Sequence, residues 1–205
     1  MESLTHKFIT SETLKNIILD CDVKKMVEAS VLPDVDETDN NYAWHFYNPA
    51  TKRNFRGGRI TAVTKFYEHL EKSHDFYTDK VDDWEIELSR ACHYVQDICT
   101  PVHTANEDIF DAITKLSLHV KFENFCNSVI EKIKPISIDD KLKKILSIND
   151  IKTLIKYNSM IANENYYRLK ENADMTQIAT DSINNAIILT YATIIHFKNL
   201  KGDFF

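Results

Sequence analysis

The sequence predicts an all-α fold, and three observations predict it. The 205 residues include only three glycines and four prolines, too few for the many turns that a strand-rich fold requires. Apolar residues recur at helical spacing in one segment after another. Hydrophobic residues make up 43% and charged residues 27%, the balance of a chain that buries a core. This length supports one large domain, and residues 1–205 read as a single multi-helix unit with no internal repeat.

The elements follow in order. "TSET" at Thr10 to Thr13 is a capping signal ahead of Leu14, Ile17, Ile18 and Cys21, so a first helix is expected from there to about Ala29. "VLPDVDETDNNYAWHFYNPATKRNFRGG" is a long loop rich in Asp, Asn, Pro and Gly, and loops of that length are functional or disordered. Its aromatics Tyr42, Trp44, Phe46 and Tyr47 favour order. A second helix is expected after Gly58, carrying Ile60, Val63, Phe66, Tyr67 and Leu70. A third runs from about Val81 to Ile98, and Pro101 stops it because the residue before a proline resists helical geometry. A fourth covers Asp108 to Ile133, ahead of Pro135. The spacing then predicts helices over Ile138–Leu146, Asp150–Leu169 and Met175–Leu200.

Composition also excludes some functions. The formal net charge of −6 shows no basic nucleic-acid or polybasic membrane footprint, and no stable nucleic-acid partner is expected. The most apolar run, "AIILTYATIIHF", spans 12 residues, which makes it a buried helix rather than a transmembrane segment. The opening "MESLTHKFIT" has neither a basic n-region nor an apolar core, so the chain as written reads as cytoplasmic. Cys21, Cys92, Cys99 and Cys126 show no CxxC pairing and read as buried thiols.

The chemistry concentrates in "HYVQDICTPVH". Positions i and i+4 lie on one helical face, so His93 and Asp97 point the same way and can grip one ion. His119 and Glu123, in "HVKFENF", repeat that geometry on the next helix, with His103 between the two pairs. Imidazole and carboxylate suit zinc. Either pair alone is more often an exposed helical pair, and Phe122 and Phe125 read as core. His69, His74 and His196 fall outside the pattern and read as surface or satisfied core residues. The combination tips the balance: two such pairs, "PDVD" and His45 in one loop, and His6 near the chain start.

In the order His6, Asp34, His45, His93-x-x-x-Asp97, His103, His119-x-x-x-Glu123, the chain resembles the bacterial zinc-dependent phospholipases C. It is more distantly similar to the single-strand-specific zinc nucleases of fungi and plants. "THKFIT", "LPDVD", "WHFYNP", "HYVQDICTPVH" and "HVKFENF" carry the likeness over roughly residues 5–126. Glutamate at 123 favours the phospholipase branch, because the nucleases typically end that pair with aspartate.

The resemblance implies three zinc ions, which would bring the formal charge of −6 to zero. By that likeness one ion is held by Asp34, His45, His93 and Asp97, and a second by His103, His119 and Glu123. The third is held by His6, the bridging Asp97 and the amine and carbonyl of the terminal residue. In the family that residue is a tryptophan, and here Met1 takes its place; without it, two ions are expected. Asp34 is the candidate to orient or deprotonate the attacking water. The aromatic that precedes the loop histidine by three residues is kept as Tyr42, a candidate substrate contact, while the aromatic expected directly after Asp34 is replaced by Val35.

The implied function is phospholipase-C-type hydrolysis of a phospholipid or other phosphodiester to a diglyceride and a phosphorylated head group. The alternatives are a zinc nuclease or small phosphodiesterase, with Tyr42, Trp44 and Phe46 stacking a base, and a metal-stabilised binding protein without turnover. The likeness implies secretion where a leader is removed. The residues given include no β-sandwich of the kind toxin members use on membranes, so hydrolysis of dispersed lipid is expected rather than haemolysis.

Overall fold

One helix, Trp84–Ile98, is buried along 12 of its 15 residues, and the other elements are arranged around it. The computed structural model describes residues 3–36, 42–105, 112–148 and 150–200. In chain order the helices are α1 (Ser3–Leu14), α2 (Val23–Ala29), α3 (Leu32–Asp36), α4 (Ala62–Thr78), α5 (Trp84–Ile98), α6 (Ala112–Val129), α7 (Asp140–Ile148), α8 (Ile151–Lys170) and α9 (Met175–Leu200). Short 3-10 turns occupy Tyr42–His45, Pro101–His103 and Ile130–Lys132. Among the described residues there is no strand, and a lone antiparallel bridge joins Asn48 to Arg53.

The first helix is displaced from its predicted place. The capping signal "TSET" lies inside α1, which begins at Ser3 and ends at Leu14. Thr10 and Thr13 do not cap it but face the core: Gln96 Nε2 donates to Thr10 Oγ1 at 3.1 Å, and Thr13 Oγ1 donates to the carbonyl of Ile187 at 3.4 Å. The Asn16 amide then donates to the carbonyl of Glu12 as the helix ends. A separate helix, α2, starts where Asp22 accepts from the backbone N–H of Lys25, the geometry expected of an N-cap.

The later boundaries are nearer. Thr61 and Thr64 form a capping box at the start of α4, which leaves Ile60 outside the helix and 45% exposed. Helix α5 begins at Trp84 rather than Val81, and α9 occupies its predicted range. The described part of the fourth helix is α6 with the 3-10 turn after it.

Helix α4 packs along α5, and α9 crosses α5, α1 and α8. Leu88, Val95, Phe66, Ile9, Ile178, Ile183, Ile187 and Leu189 are fully buried in one apolar cluster. Full burial of each such side chain contributes about 1.5–3 kcal/mol. At the far end, Trp84 stacks on Phe197 with ring centroids 5.5 Å apart. The apolar run of α9 is part of this core, and no described helix is long and apolar enough to cross a membrane. Cys92, Cys99 and Cys126 are buried thiols, as read, whereas Cys21 is only half-buried.

Candidate metal centre

Helix α5 brings His93 and Asp97 to one face, one turn apart, both fully buried. Five other segments converge on that face. Helix α1 supplies His6, whose ring stacks on His93 at 4.0 Å, and the short helix α3 supplies Asp34. The 3-10 turn after it ends in His45. Beyond Pro101, a second 3-10 turn delivers His103, opposite His119 and Glu123 on α6.

Three groups of ligand atoms result. In the first, Asp97 Oδ2 lies 2.8 Å from His45 Nδ1 and 3.2 Å from His93 Nε2, and those two nitrogens are 3.0 Å apart. Asp34 Oδ1 completes it at 3.5 Å from His93 Nε2 and 3.7 Å from His45 Nδ1. Zinc bonds of roughly 2.0–2.2 Å in tetrahedral geometry place ligand atoms about 3.3–3.6 Å apart, close to these spacings. In the second, His103 Nε2, His119 Nε2 and Glu123 Oε1 lie 2.7–3.1 Å from one another. In the third, His6 gathers with Asp34 and His93, with Asp34 Oδ2 at 4.0 Å from His6 Nε2, and Asp97 Oδ1 lies beside the group at 3.6 Å from that nitrogen. Met1, the expected fourth contributor there, lies outside the described residues.

The chemistry of these groups fits a metal better than hydrogen bonding alone. His6 Nε2 is buried without a hydrogen-bond partner, an expensive state for a ring nitrogen. Its other nitrogen, Nδ1, donates to Gln96 Oε1 at 2.7 Å, so Nε2 presents a lone pair towards two carboxylates. His93 Nδ1 donates to the carbonyl of Ser30 at 2.9 Å, and His103 Nδ1 to that of His45 at 3.1 Å. Those bonds turn both Nε2 atoms inward, as the outer partners of metal-binding histidines do. His45 alone turns Nδ1 inward.

The electrostatics agree. Burial would raise the Asp97 carboxyl, but His103 and His93 beside it hold it well below the usual carboxylate range. Glu123 is driven down in the same way against its own burial, by hydrogen bonds from His103 and His119. His6 is lowered by burial and by His93, and His119 by burial, so both favour the neutral, metal-binding form. His93 and His103 are raised by Asp97 despite burial. Asp97 and these two histidines thus stabilise one another's charged forms, and a metal ion would displace the imidazole protons on binding.

With the geometry in hand, comparison decides the lineage. The model of the zinc-dependent phospholipase C family matches residues 5–196. The chain belongs to that family. Its structure is similar to "Alpha Toxin from Clostridium Absonum", with a TM-score of 0.77 and 20% identity over 97% of this chain and 63% of that one. It is similar also to the alpha-toxin of Clostridium perfringens avian strain SWCP, with a TM-score of 0.76 and 18% identity over 98% of this chain and 64% of that one. The chain thus spans less than two thirds of the length of either toxin. Comparison with curated proteins finds no match.

Membership of a zinc-dependent family agrees with the zinc-suited donor set, and the all-helical architecture is the one expected. The structure brings His6, Asp34, His45, His93, Asp97, His103, His119 and Glu123 together, and places Tyr42 beside them. The Tyr42 hydroxyl is 2.6 Å from His119 Nδ1, and its ring meets Phe46 edge-on at 5.3 Å. His69 is outside the cluster and bonds Glu87 at 2.6 Å, while His74 is half-buried and its Nε2 lies 3.3 Å from the carbonyl of Leu200.

Sequence reasoning missed Gln96, which accepts from His6 and donates to Thr10 and Thr190. A signal was available, since residue 96 sits three positions after His93 on the same helical face. Phe46, read from the sequence as a ring that could stack a base, is instead a wall of the centre, stacked on His103 at 4.8 Å.

Proposed function

We propose that the chain is the catalytic unit of a zinc-dependent phosphodiesterase of phospholipase C type, releasing a diglyceride and a phosphorylated head group. Family membership over residues 5–196, joined to the three ligand groups, carries this reading. One domain spanning residues 1–205 would hold three ions. The first takes Asp34, His45, His93 and Asp97, and the second takes His103, His119 and Glu123. The third takes His6, Asp97 and Met1.

Bound zinc supplies Lewis acidity, lowering the pKa of a water and neutralising charge on a phosphoryl group. The protein's own residues do the rest. Asp34 is 31% accessible through its side chain, whereas Asp97 is wholly buried and Glu123 nearly so. Asp34 is thus the carboxylate best able to meet an incoming water, and it orients that water and takes its proton. Asp97 stays ionised and spans two ligand groups without moving. The Tyr42 ring lines the substrate side of the second group. Val35, directly after Asp34, is 60% exposed and offers no aromatic face to a quaternary ammonium.

The nuclease alternative needs aromatics able to sandwich a base. Phe46 is buried against His103 and offers no open face for stacking, and one face of the half-buried Trp44 ring is taken by Lys65 at 4.7 Å. The test is diglyceride release from short-chain phospholipids by zinc-loaded protein, with single-stranded DNA as the competing substrate. Lipid cleavage that is lost in Asp34→Asn supports the assignment. Cleavage of DNA alone, or of neither substrate by protein carrying its full zinc complement, overturns it.

A further inference from the structure

The overall charge of −6 hides a local reversal. Residues 42–67 contain Lys52, Arg53, Arg56, Arg59 and Lys65 and no carboxylate. Removing those five cations leaves the rest of the chain at −11. Lys65 is buried under Trp44. The other four are exposed on the loop that joins the His45 turn to α4. Among the described residues none of these four is paired with a carboxylate.

This loop is built rather than slack. Asn48 and Asn54, both buried, hold it from inside. Asn48 Oδ1 accepts from the backbone N–H groups of Ala50 and Thr51, and its amide donates to the carbonyl of Thr104. Asn54 Oδ1 accepts from Arg56 and Gly58, and its amide donates to the carbonyl of Ile60. The turns need left-handed backbone at Lys52 (φ 56°) and Gly57 (φ 77°). The backbone that carries the cations is therefore preorganised, so binding has only their side chains to order.

The frame also sets where they stand. Arg56 lies over the Phe55 ring at 5.4 Å, Phe55 meets Phe46 at 4.6 Å, and Phe46 stacks on His103 at 4.8 Å. A cation is thus two aromatic rings from the metal centre. Phe55 is half-exposed and Ile60 exposed, so apolar groups are interleaved with the charges. Cations mixed with apolar side chains suit the boundary of an anionic bilayer, where headgroup phosphates meet acyl chains.

We propose that the loop of Lys52, Arg53, Arg56 and Arg59 docks the protein on an anionic phospholipid surface and so presents the metal centre to lipid. The inference rests on the reading of that centre as a lipid phosphodiesterase. Each Lys or Arg at such a surface strengthens binding about fivefold, so the four together bind several hundredfold more tightly to an anionic bilayer than to a neutral one. Loss of affinity with salt follows, because these contacts are exposed and screened.

The test measures co-sedimentation of zinc-loaded protein with phosphatidylcholine vesicles, with and without one third phosphatidylglycerol. The triple variant Lys52→Asn, Arg56→Gln, Arg59→Gln is measured alongside. Asparagine is chosen at 52 because it tolerates positive φ, and Arg53 is kept because its Nη1 donates to the carbonyl of Gly57. The parent is expected to bind only the anionic vesicles and to weaken steeply between about 0.05 M and about 0.3 M salt. The variant, with parental zinc content and melting temperature, loses on the order of 100-fold. Should the triple variant fold poorly, Arg59→Gln alone is expected to lose about fivefold.

Equal binding of the parent to both vesicles, or undiminished binding by the variants, overturns the proposal. So does single-stranded DNA that displaces the anionic vesicles at matching charge concentration, since the loop would then serve nucleic acid. Binding is read independently of hydrolysis. A protein that docks without cleaving refutes only the phosphodiesterase reading, and one that cleaves without discriminating charge refutes only the docking surface.

Discussion

Asp97 Oδ1 lies 3.1 Å from His103 Nδ1, so the buried carboxylate that joins the first and third groups also touches a residue of the second, on the ring edge away from its ligand nitrogen. Its other oxygen serves His45 and His93, and Oδ1 also faces His6. His103 carries the contact onward, because its Nε2 belongs to the group containing His119 and Glu123. Metal occupancy at the separate groups is therefore linked through a single side chain.

Asp97→Asn is expected to lower zinc content by more than one ion per chain, whereas Glu123→Gln lowers it by one. An amide neutralises the shared charge and withdraws one acceptor, while loss of Glu123 leaves the other two groups intact. Elemental analysis after dialysis measures both. Equal losses in the two variants would show that Asp97 serves one ion only.

Tyr42→Phe keeps the ring and removes the hydroxyl that stands 2.6 Å from His119 Nδ1. Loss of an outer hydrogen bond to a metal-binding histidine typically lowers metal affinity by about 10–100-fold. Chelator competition on cobalt-substituted protein should show one ion released early and the others retained. An unchanged release profile would mean that the hydroxyl does not position His119.

Removing zinc should destabilise the fold. Empty, the centre leaves inward-facing nitrogens 2.9–3.0 Å apart and an ionised Asp97 in the interior. A site at free zinc a thousandfold above its Kd adds about 4 kcal/mol. Chelated protein is expected to melt well below the same sample reloaded with zinc. Coincident melting curves would place the ions outside the folded core.

Away from the centre, Glu87 accepts from His69 at 2.6 Å and from Lys72 at 2.8 Å. Although burial opposes it, these partners lower the Glu87 carboxyl to about 2. A carboxyl lowered in the folded state stabilises it fully above the unfolded value of about 4.5, and that contribution fades as pH falls towards the folded value. Glu87→Gln should therefore cost about 1–3 kcal/mol near neutrality, and its deficit against the parent should shrink from about pH 5 down to about pH 3. Urea titrations of metal-free protein at both pH values measure the gap. A deficit that stays constant would show that the carboxylate charge is not what holds His69 and Lys72.

Helical content, the order of the long helices and the pairing of His93 with Asp97 and of His119 with Glu123 were legible along the chain, because each depends on spacing within a few residues. The start of the first helix was not. Thr10 and Thr13 look like caps in isolation, yet their partners Gln96 and Ile187 lie 86 and 174 positions away. Only tertiary packing decides whether such a hydroxyl ends a helix or buttresses its neighbour.

The same division holds at the centre. Spacing marked the pairs His93 with Asp97 and His119 with Glu123, and the likeness to the family singled out His6, Asp34, His45 and His103 beside them. Which nitrogen of each histidine turns inward, how the two oxygens of Asp97 are shared, and that the Tyr42 hydroxyl meets His119 all depend on contacts between segments 48 to 91 positions apart. Local periodicity chooses the face of a helix on which a side chain appears, whereas its orientation on that face follows from the partners that the completed fold brings within hydrogen-bonding distance.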